Sequence, residues 1–296
     1  MRIFVTGATG FVGSTIVPAL CGEGHAVRAL VRTPAGGERI KALGAEPVVG
    51  DISDAASLQA AIEGCTHVVH LVAIIQGRPA DFQRVMTDGT RSLVAAARES
   101  GVERFVLMSA LGAAEPTPET VPYFRAKWAM EQEVKASGLQ YTIFRPSFIF
   151  GKGGALPTFI SQVRYSPLVT VIGHGRQRSQ PIWVGDVASY VTRAVDNPRA
   201  ANRTFELGGP YTVDWDELYR LIAKVLGKRR GLIHVPFAVA AAGARLIQRL
   251  PGAPLSEDQV KMLQGADNVP SNDEAVETFN LPLVPLEEQI RRVVSS

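Results

Sequence analysis

Hydrophobic and polar positions along the chain fall into two alternating patterns. Short apolar runs rich in β-branched residues occur at Ile3 to Thr6, Ala26 to Val31, Pro47 to Val49, His67 to Val72, Arg104 to Met108 and Tyr141 to Phe144, and each reads as a buried strand. Between them lie longer segments with helical spacing: Val12 to Leu20, Gly36 to Leu43, Ala55 to Ile62, Thr90 to Glu99 and Tyr123 to Ala136. Each is long enough to carry the chain back across a sheet, so the six strands are expected to run parallel. The pattern predicts an α/β fold class, a doubly wound parallel sheet with helices on both faces.

After Phe150 the rhythm breaks. Gly151, Gly153 and Gly154 mark a transition, and the later helices follow without regular strand partners. The expected division is a main domain over 1–150 and a smaller C-terminal α/β lobe over 151–296, some of whose segments return to the main sheet. Asp214 with Glu217, and Ser256 with Gln259, have the spacing of capping boxes at helix starts. The most apolar stretch, Leu232 to Leu250, contains His234, Arg245 and Arg249, and reads as a packed amphipathic helix rather than a membrane span.

Between strand and helix at the N-terminus stands Gly7-Ala8-Thr9-Gly10-Phe11-Val12-Gly13. Gly7 permits a tight turn, Gly10 lets the backbone approach a pyrophosphate, and Gly13 lets helix and strand pack closely. The free N–H groups of the helix start then face the anion. This is the dinucleotide-binding arrangement of a Rossmann sheet, with Gly7, Thr9, Gly10, Phe11, Val12 and Gly13 as cofactor-binding residues. The second strand decides which dinucleotide. A carboxylate at its end would bond the adenosine ribose of NAD, but the segment ends in Arg32, whose planar fork suits the extra phosphate of NADP. NADP(H) is the preferred cofactor, with NAD(H) left open.

The Gly turn, Gly50-Asp51-Ile52, His70-Leu71-Val72-Ala73 and Tyr123-x-x-x-Lys127 together resemble the extended or atypical short-chain dehydrogenase/reductase family over most of the chain. The resemblance implies that Asp51 and Ile52 lie near the adenine and that Leu71, Val72 and Ala73 line the middle of the cofactor. It places Pro146, Ser147 and Phe148 near the nicotinamide. It also implies that Tyr123 exchanges a proton with substrate while hydride passes to or from the nicotinamide. Lys127, four residues on and facing the same way, would stabilise the phenolate and hold the nicotinamide ribose. Ser109 is the nearest hydroxyl for polarising the reacting oxygen, although the register also allows Ala110 at that place.

For a substrate, Gly173-His-Gly-Arg-Gln-Arg178 resembles the anion-gripping region of nucleotide-sugar epimerases, making Arg178 and then Arg176 candidate substrate-binding residues. Phe148 stands where those epimerases carry an asparagine, which points to a more apolar substrate or to none, a core-filling phenylalanine being the other reading. The pairing of Arg145-Pro146-Ser147 with Gln180 to Val187 resembles the subgroup that includes the NADPH-binding accessory subunit of respiratory complex I. That likeness implies an alternative, a catalytically silent NADP(H)-binding accessory or assembly protein whose His234 to Leu250 region meets a protein partner or a membrane surface.

Composition narrows the classes further. The net charge of the 296 residues is only +3 and the cations are scattered, which argues against nucleic acid as a partner. Cys21 and Cys65 have no metal-ligand spacing and form no disulfide framework. His67 and His70, on an expected buried strand, read as core imidazoles, so no metal is expected. The first residues run straight into the Gly turn without the features of a secretory signal, and the expected location is cytoplasmic, with peripheral membrane association open.

Overall fold

The computed structural model describes residues 1–117, 119–247, 256–265 and 267–295. The chain divides into two compact units. The first comprises Met1–Pro146, Val184–Leu207 and Ser271–Pro282, and the second Ser147–Trp183, Gly208–Pro270 and Leu283–Ser296.

The N-terminal part alternates β1 (Arg2–Thr6), α1 (Gly13–Gly22), β2 (Ala26–Val31), α2 (Pro34–Ala42), β3 (Glu46–Val49), α3 (Ala55–Ile62) and β4 (His67–His70). A short α4 (Pro79–Phe82) and a π-helical turn over Gln83–Asp88 lead into α5 (Gly89–Glu99), followed by β5 (Arg104–Met108), α6 (Pro122–Lys135) and β6 (Gln140–Pro146). The helix starts are set locally. Thr33 accepts the Gly36 amide at 3.2 Å with Pro34 in the first turn of α2, and Asp54 accepts the Ala56 amide at 3.1 Å before α3.

The second unit opens with β7 (Ile149–Phe150), α7 (Leu156–Tyr165), β8 (Leu168–Ile172), β9 (Arg178–Ser179) and β10 (Ile182–Trp183). The chain then returns to the first unit as α8 (Val184–Ala194) and β11 (Arg203–Leu207). It leaves again through β12 (Val213–Asp214), α9 (Trp215–Val225), β13 (Gly231–Val235), α10 (Phe237–Ile247) and α11 (Glu257–Gln264). Helix α12 (Asp273–Phe279) belongs to the first unit and α13 (Leu286–Val294) to the second.

The first unit is built on a seven-stranded sheet in the order β11-β6-β5-β4-β1-β2-β3, and every neighbouring pair is parallel. All six expected strands are in it. The fourth ends at His70 instead of Val72, and the sixth spans Gln140–Pro146 instead of Tyr141 to Phe144. The seventh, β11, was not legible as a strand: Arg203-Thr-Phe-Glu-Leu207 lies at the sheet edge with only Phe205 and Leu207 buried, so it lacks the continuous apolar run of the central strands. Chain order reverses between β1 and β4, the point beyond which ligands bind in doubly wound sheets.

In the second unit, β7 pairs with β10 and β8 with β13, both parallel, while β9 pairs with β12 antiparallel. Helices α7, α9 and α13 share an apolar cluster around Leu156, Leu218, Ile222 and Ile290. Both expected capping boxes are formed, Asp214 with Glu217 and Ser256 with Gln259. The single helix expected over Leu232 to Leu250 is corrected: Leu232 to Val235 extend β13, Pro236 stops the strand, and α10 starts at Phe237. Residues 248–250 of that stretch lie outside the described residues.

The segments that return to the first unit are fastened by rings. Phe144 of β6, Tyr190 of α8, Phe205 of β11 and Phe279 of α12 pack with centroids 5.1 to 6.2 Å apart. Phe279, like Phe144, meets the other three. Truncating Phe279 to alanine should therefore lower stability by about 3–5 kcal/mol in urea denaturation. A loss below about 1 kcal/mol would contradict this role.

Candidate functional site

At the carboxyl end of β1 the backbone is too crowded for side chains. Gly7 has φ +74°, and a Cβ there would sit 2.8 Å from the carbonyl carbon of Leu71 and 2.9 Å from the amide of Val72. The exit of β4 therefore runs directly against the turn, fixed by the Leu71 amide donating to the Thr6 carbonyl at 3.1 Å. A Cβ at Gly13 would meet the Gly7 carbonyl oxygen at 2.3 Å, so the first turn of α1 rests on the loop itself. The Gly10 amide closes the turn onto Gly7 O at 3.1 Å, while the amides of Phe11, Val12 and Gly13 donate to no described residue. Unpaired amides at the start of a helix, on a loop with no room for a Cβ at Gly7 or Gly13, suit a pyrophosphate.

Arg32 follows β2, exposed and without an ion pair among the described residues. It precedes the Thr33 cap of α2, where a Cβ at Gly36 would make an ordinary van der Waals contact with the Thr9 methyl of the Gly turn at 3.5 Å. Asp51, after β3, accepts the Ser53 amide at 2.8 Å and the Ser53 hydroxyl. These bonds, with the nearby charges of Arg32 and Arg84, hold its carboxyl below the usual range. Ile52 is buried and leans on Gly89, where a Cβ would meet its side chain at 2.8 Å. Leu71 and Val72 are half-buried beside the turn and Ala73 is exposed.

Tyr123 and Lys127 lie one turn apart near the start of α6. The lysine Nζ stands 5.9 Å from the centre of the tyrosine ring and donates to the Met108 carbonyl at 2.6 Å. Burial pushes the Tyr123 phenol up to about 12. Burial also pulls the Lys127 amine down to about 7, against the charge of Glu131. The Tyr123 hydroxyl makes no hydrogen bond to a described residue. Ser109 is buried after β5, and its hydroxyl donates to Glu131 at 2.6 Å. The neighbouring position is Ala110, also buried.

Glu131 was not singled out from the sequence, yet it is the node beneath this pair. It is fully buried and accepts both Arg145 nitrogens, at 2.8 and 2.7 Å, and Lys135 at 3.1 Å, besides Ser109. Burial raises its carboxyl, but the Arg145 and Ser109 hydrogen bonds and the Arg145 charge outweigh it, and the group stays ionised. The available signal was its i, i+4 relation to both Lys127 and Lys135.

His70, at the end of β4, is buried between Thr6 Oγ1 at 2.6 Å and Thr90 Oγ1 at 2.9 Å. Because the Thr90 hydroxyl donates to the Met86 carbonyl at 2.5 Å, His70 must donate through Nε2 and accept through Nδ1. Burial, then the charge of Lys127, brings its ring down to about 3, so it is neutral.

Pro146 ends β6 in the first unit, and its carbonyl accepts the Leu111 amide at 3.0 Å. In the second unit the Ser147 hydroxyl donates to the Asn268 carbonyl at 3.0 Å and contacts its side-chain oxygen. Phe148 packs edge-on against Trp215 at 5.6 Å. Asn268, also not singled out from the sequence, joins this segment to β9 by donating to the Arg178 carbonyl at 2.8 Å. Arg178 pairs with Asp267 at 2.8 Å, and both Arg178 and Arg176 are exposed.

The pattern of the NAD(P)H-binding family matches residues 7–198, from the first glycine of the turn through α8. The chain belongs to this NAD(P)H-binding family. It is 32% identical to a ceramide reductase of Caulobacter vibrioides over 249 residues, covering 82% of this chain and 76% of that protein. It is 28% identical to subunit 9 of the NADH dehydrogenase [ubiquinone] 1 alpha subcomplex of Arabidopsis thaliana over 301 residues, covering 95% and 73%. In fold it matches an NADPH-dependent quinone oxidoreductase of Escherichia coli complexed with NADPH, with TM-score 0.80 and 21% identity over 99% of both chains. Among the described residues no helix of this NAD(P)H-binding protein is long and apolar enough to cross a membrane.

The depressed amine of Lys127 has a testable sign. In the unfolded chain it holds its proton up to about 10.5, in the fold only up to about 7, so unfolding between those values takes up a proton. Its contribution to stability thus rises with pH across that window and is lost as pH falls. Relative to wild type, Lys127→Met should be most favourable near pH 7, and this difference should shrink toward pH 10 by up to about 1.4 kcal/mol per unit in urea denaturation. A difference that stays flat or grows would contradict a buried amine with a lowered pKa.

Proposed function

We propose that the protein is an NADP(H)-dependent oxidoreductase acting as a carbonyl reductase, with Tyr123 as proton donor. The observation that carries this reading is the Lys127 amine 5.9 Å from the Tyr123 ring, on a fold whose β1–α1 turn has unpaired amides. NADPH, when bound, would supply a hydride for the carbonyl carbon. Tyr123 gives its proton to the carbonyl oxygen; a phenol that stays protonated up to about 12 is a donor at neutral pH. Lys127, near neutrality, returns a proton toward the phenolate. Glu131 fixes Ser109 and Arg145, which makes Ser109 a positioning residue while its hydroxyl stays on Glu131, and a polariser of the carbonyl only on leaving it. Arg32 holds the adenosine phosphate, Asp51 and Ile52 the adenine side, and Leu71, Val72 and Ala73 the middle of the cofactor. Pro146, Ser147 and Phe148 are assigned to the nicotinamide, and Arg176 and Arg178 to any anionic part of a substrate.

A second reading is favoured by one observation. With Ser109 bonded to Glu131 and alanine at 110, no hydroxyl next to β5 is free to polarise a carbonyl. The protein would then bind NADP(H) without turnover, as an accessory or assembly factor with a protein partner. Tight NADPH binding without oxidation across ketone, quinone and ceramide-type substrates would decide for it.

Replacing Arg32 with alanine should weaken NADPH binding about ten- to hundredfold and leave NADH nearly unchanged in fluorescence titration. Equal losses for both would remove Arg32 from phosphate recognition. With an active carbonyl substrate in hand, Tyr123→Phe should lower kcat about 10²- to 10⁴-fold at preserved NADPH affinity. Unchanged kcat would exclude Tyr123 as the donor.

A further inference from the structure

Asn268 is pinned within the second unit by its backbone and by one half of its side chain. Its N–H donates to the Arg178 carbonyl at 2.8 Å and its carbonyl accepts the Gln180 amide at 3.1 Å, which makes it a parallel bridge alongside Ser179 of β9. That carbonyl also accepts the Ser147 hydroxyl at 3.0 Å. In the side chain, Oδ1 accepts the Phe148 amide at 3.2 Å and touches the Ser147 hydroxyl. A backbone N–H can only donate, so the atom facing Phe148 has to be the oxygen, and the direction of the whole amide group is fixed. The N–H donors of Nδ2 are left without a partner among the described residues, on a residue that is only half-buried and so within reach of a ligand.

Phe148, which fixes this amide, also begins a row of half-buried rings. It packs edge-on against Trp215 at 5.6 Å, and Trp215 packs against Phe159 at 5.5 Å. The neighbouring cation is already matched. Asp267 accepts the Arg178 backbone amide at 2.9 Å and its Nε at 2.8 Å. Next to Asn268, then, stand an aromatic side chain and a paired charge, with one neutral donor group left open.

We propose that Asn268 Nδ2 is a binding site for the carbonyl oxygen of a neutral aromatic ketone. A carboxylate or phosphate is drawn to an unpaired cation, and Arg178 has its counter-ion. An apolar molecule with no acceptor would strip water from the Nδ2 donors and give nothing in return. A neutral carbonyl satisfies them, and because the amide is held in place beforehand, little side-chain freedom is lost on binding. The inference rests on the carbonyl-reductase reading for the identity of this ligand as substrate: a carbonyl bonded to Asn268 would lie next to Ser147 and Phe148, the residues assigned there to the nicotinamide.

The test uses the full chain loaded with NADP+, which cannot reduce a ketone, and a matched pair of probes, 2-acetylnaphthalene and 2-ethylnaphthalene, titrated by quenching of tryptophan fluorescence. Asn268→Asp keeps an acceptor for Phe148 and Ser147 and removes only the donors, so its thermal unfolding should match wild type. It should weaken 2-acetylnaphthalene about tenfold and leave 2-ethylnaphthalene within about twofold. Wild type alone gives a second reading, since it should bind the ketone more tightly than the hydrocarbon. No binding of the ketone, no preference between the probes, or equal ketone affinity in wild type and variant would overturn the proposal. So would weakened NADPH binding with unchanged ketone binding, which would assign the donor to the carboxamide of the cofactor. The two readings fail separately. Ketone-dependent NADPH oxidation with the same KM in wild type and Asn268→Asp would remove Asn268 and leave the reductase, whereas binding that depends on Asn268 without NADPH oxidation would support the site and remove the reductase.

Discussion

The close approach of Gly7 to the backbone of Leu71 and Val72 is the constraint on which the rest of the site depends. With no room for a Cβ at Gly7 or Gly13, the exit of β1, the exit of β4 and the start of α1 are held together as one rigid seat. That seat leaves three helix-start amides without partners in the fold and sets them where the strand order reverses. Packing at the loop thus creates electrostatic demand for an anion, and the match to the NAD(P)H-binding family begins at the same Gly7.

Beneath α6, a second constraint works through charge. Glu131 is buried, and burial alone would protonate it. Its carboxyl is nevertheless held below the ordinary range because Arg145 meets it with two nitrogens and Ser109 and Lys135 supply further donors. This cluster ties β5, α6 and β6 to one another, and it fixes the helix turn that carries Lys127. His70, neutral and locked between two threonines, adds no charge beside that amine. Lys127 is therefore buried on the same helix as Glu131, the anion that orders the scaffold, with Tyr123 half-buried one turn before it.

Much of this was legible in the sequence, for reasons that differ by element. Central strands such as β5, buried on both faces, are continuous apolar runs and were readable as they stand. The edge strand β11 carries Arg203 and Glu206 and was not readable, since half its side chains face outward. The stretch from Leu232 to Leu250 is mostly apolar, so composition could not tell strand from helix; Pro236 was the informative residue. The Gly turn and the Tyr123–Lys127 spacing were readable because their geometry is local. The partners of Glu131 were not, because Ser109 and Arg145 arrive from two other strands, and long-range placement leaves no trace in local spacing. Likewise, the bond that occupies Ser109 could only be seen once β5 and α6 were side by side.

A crystal structure of the protein grown with NADPH tests the central claim most directly. The account predicts pyrophosphate oxygens within hydrogen-bond distance of the amides of Phe11, Val12 and Gly13. A nucleotide bound elsewhere on the chain, with those amides facing only solvent, would contradict it.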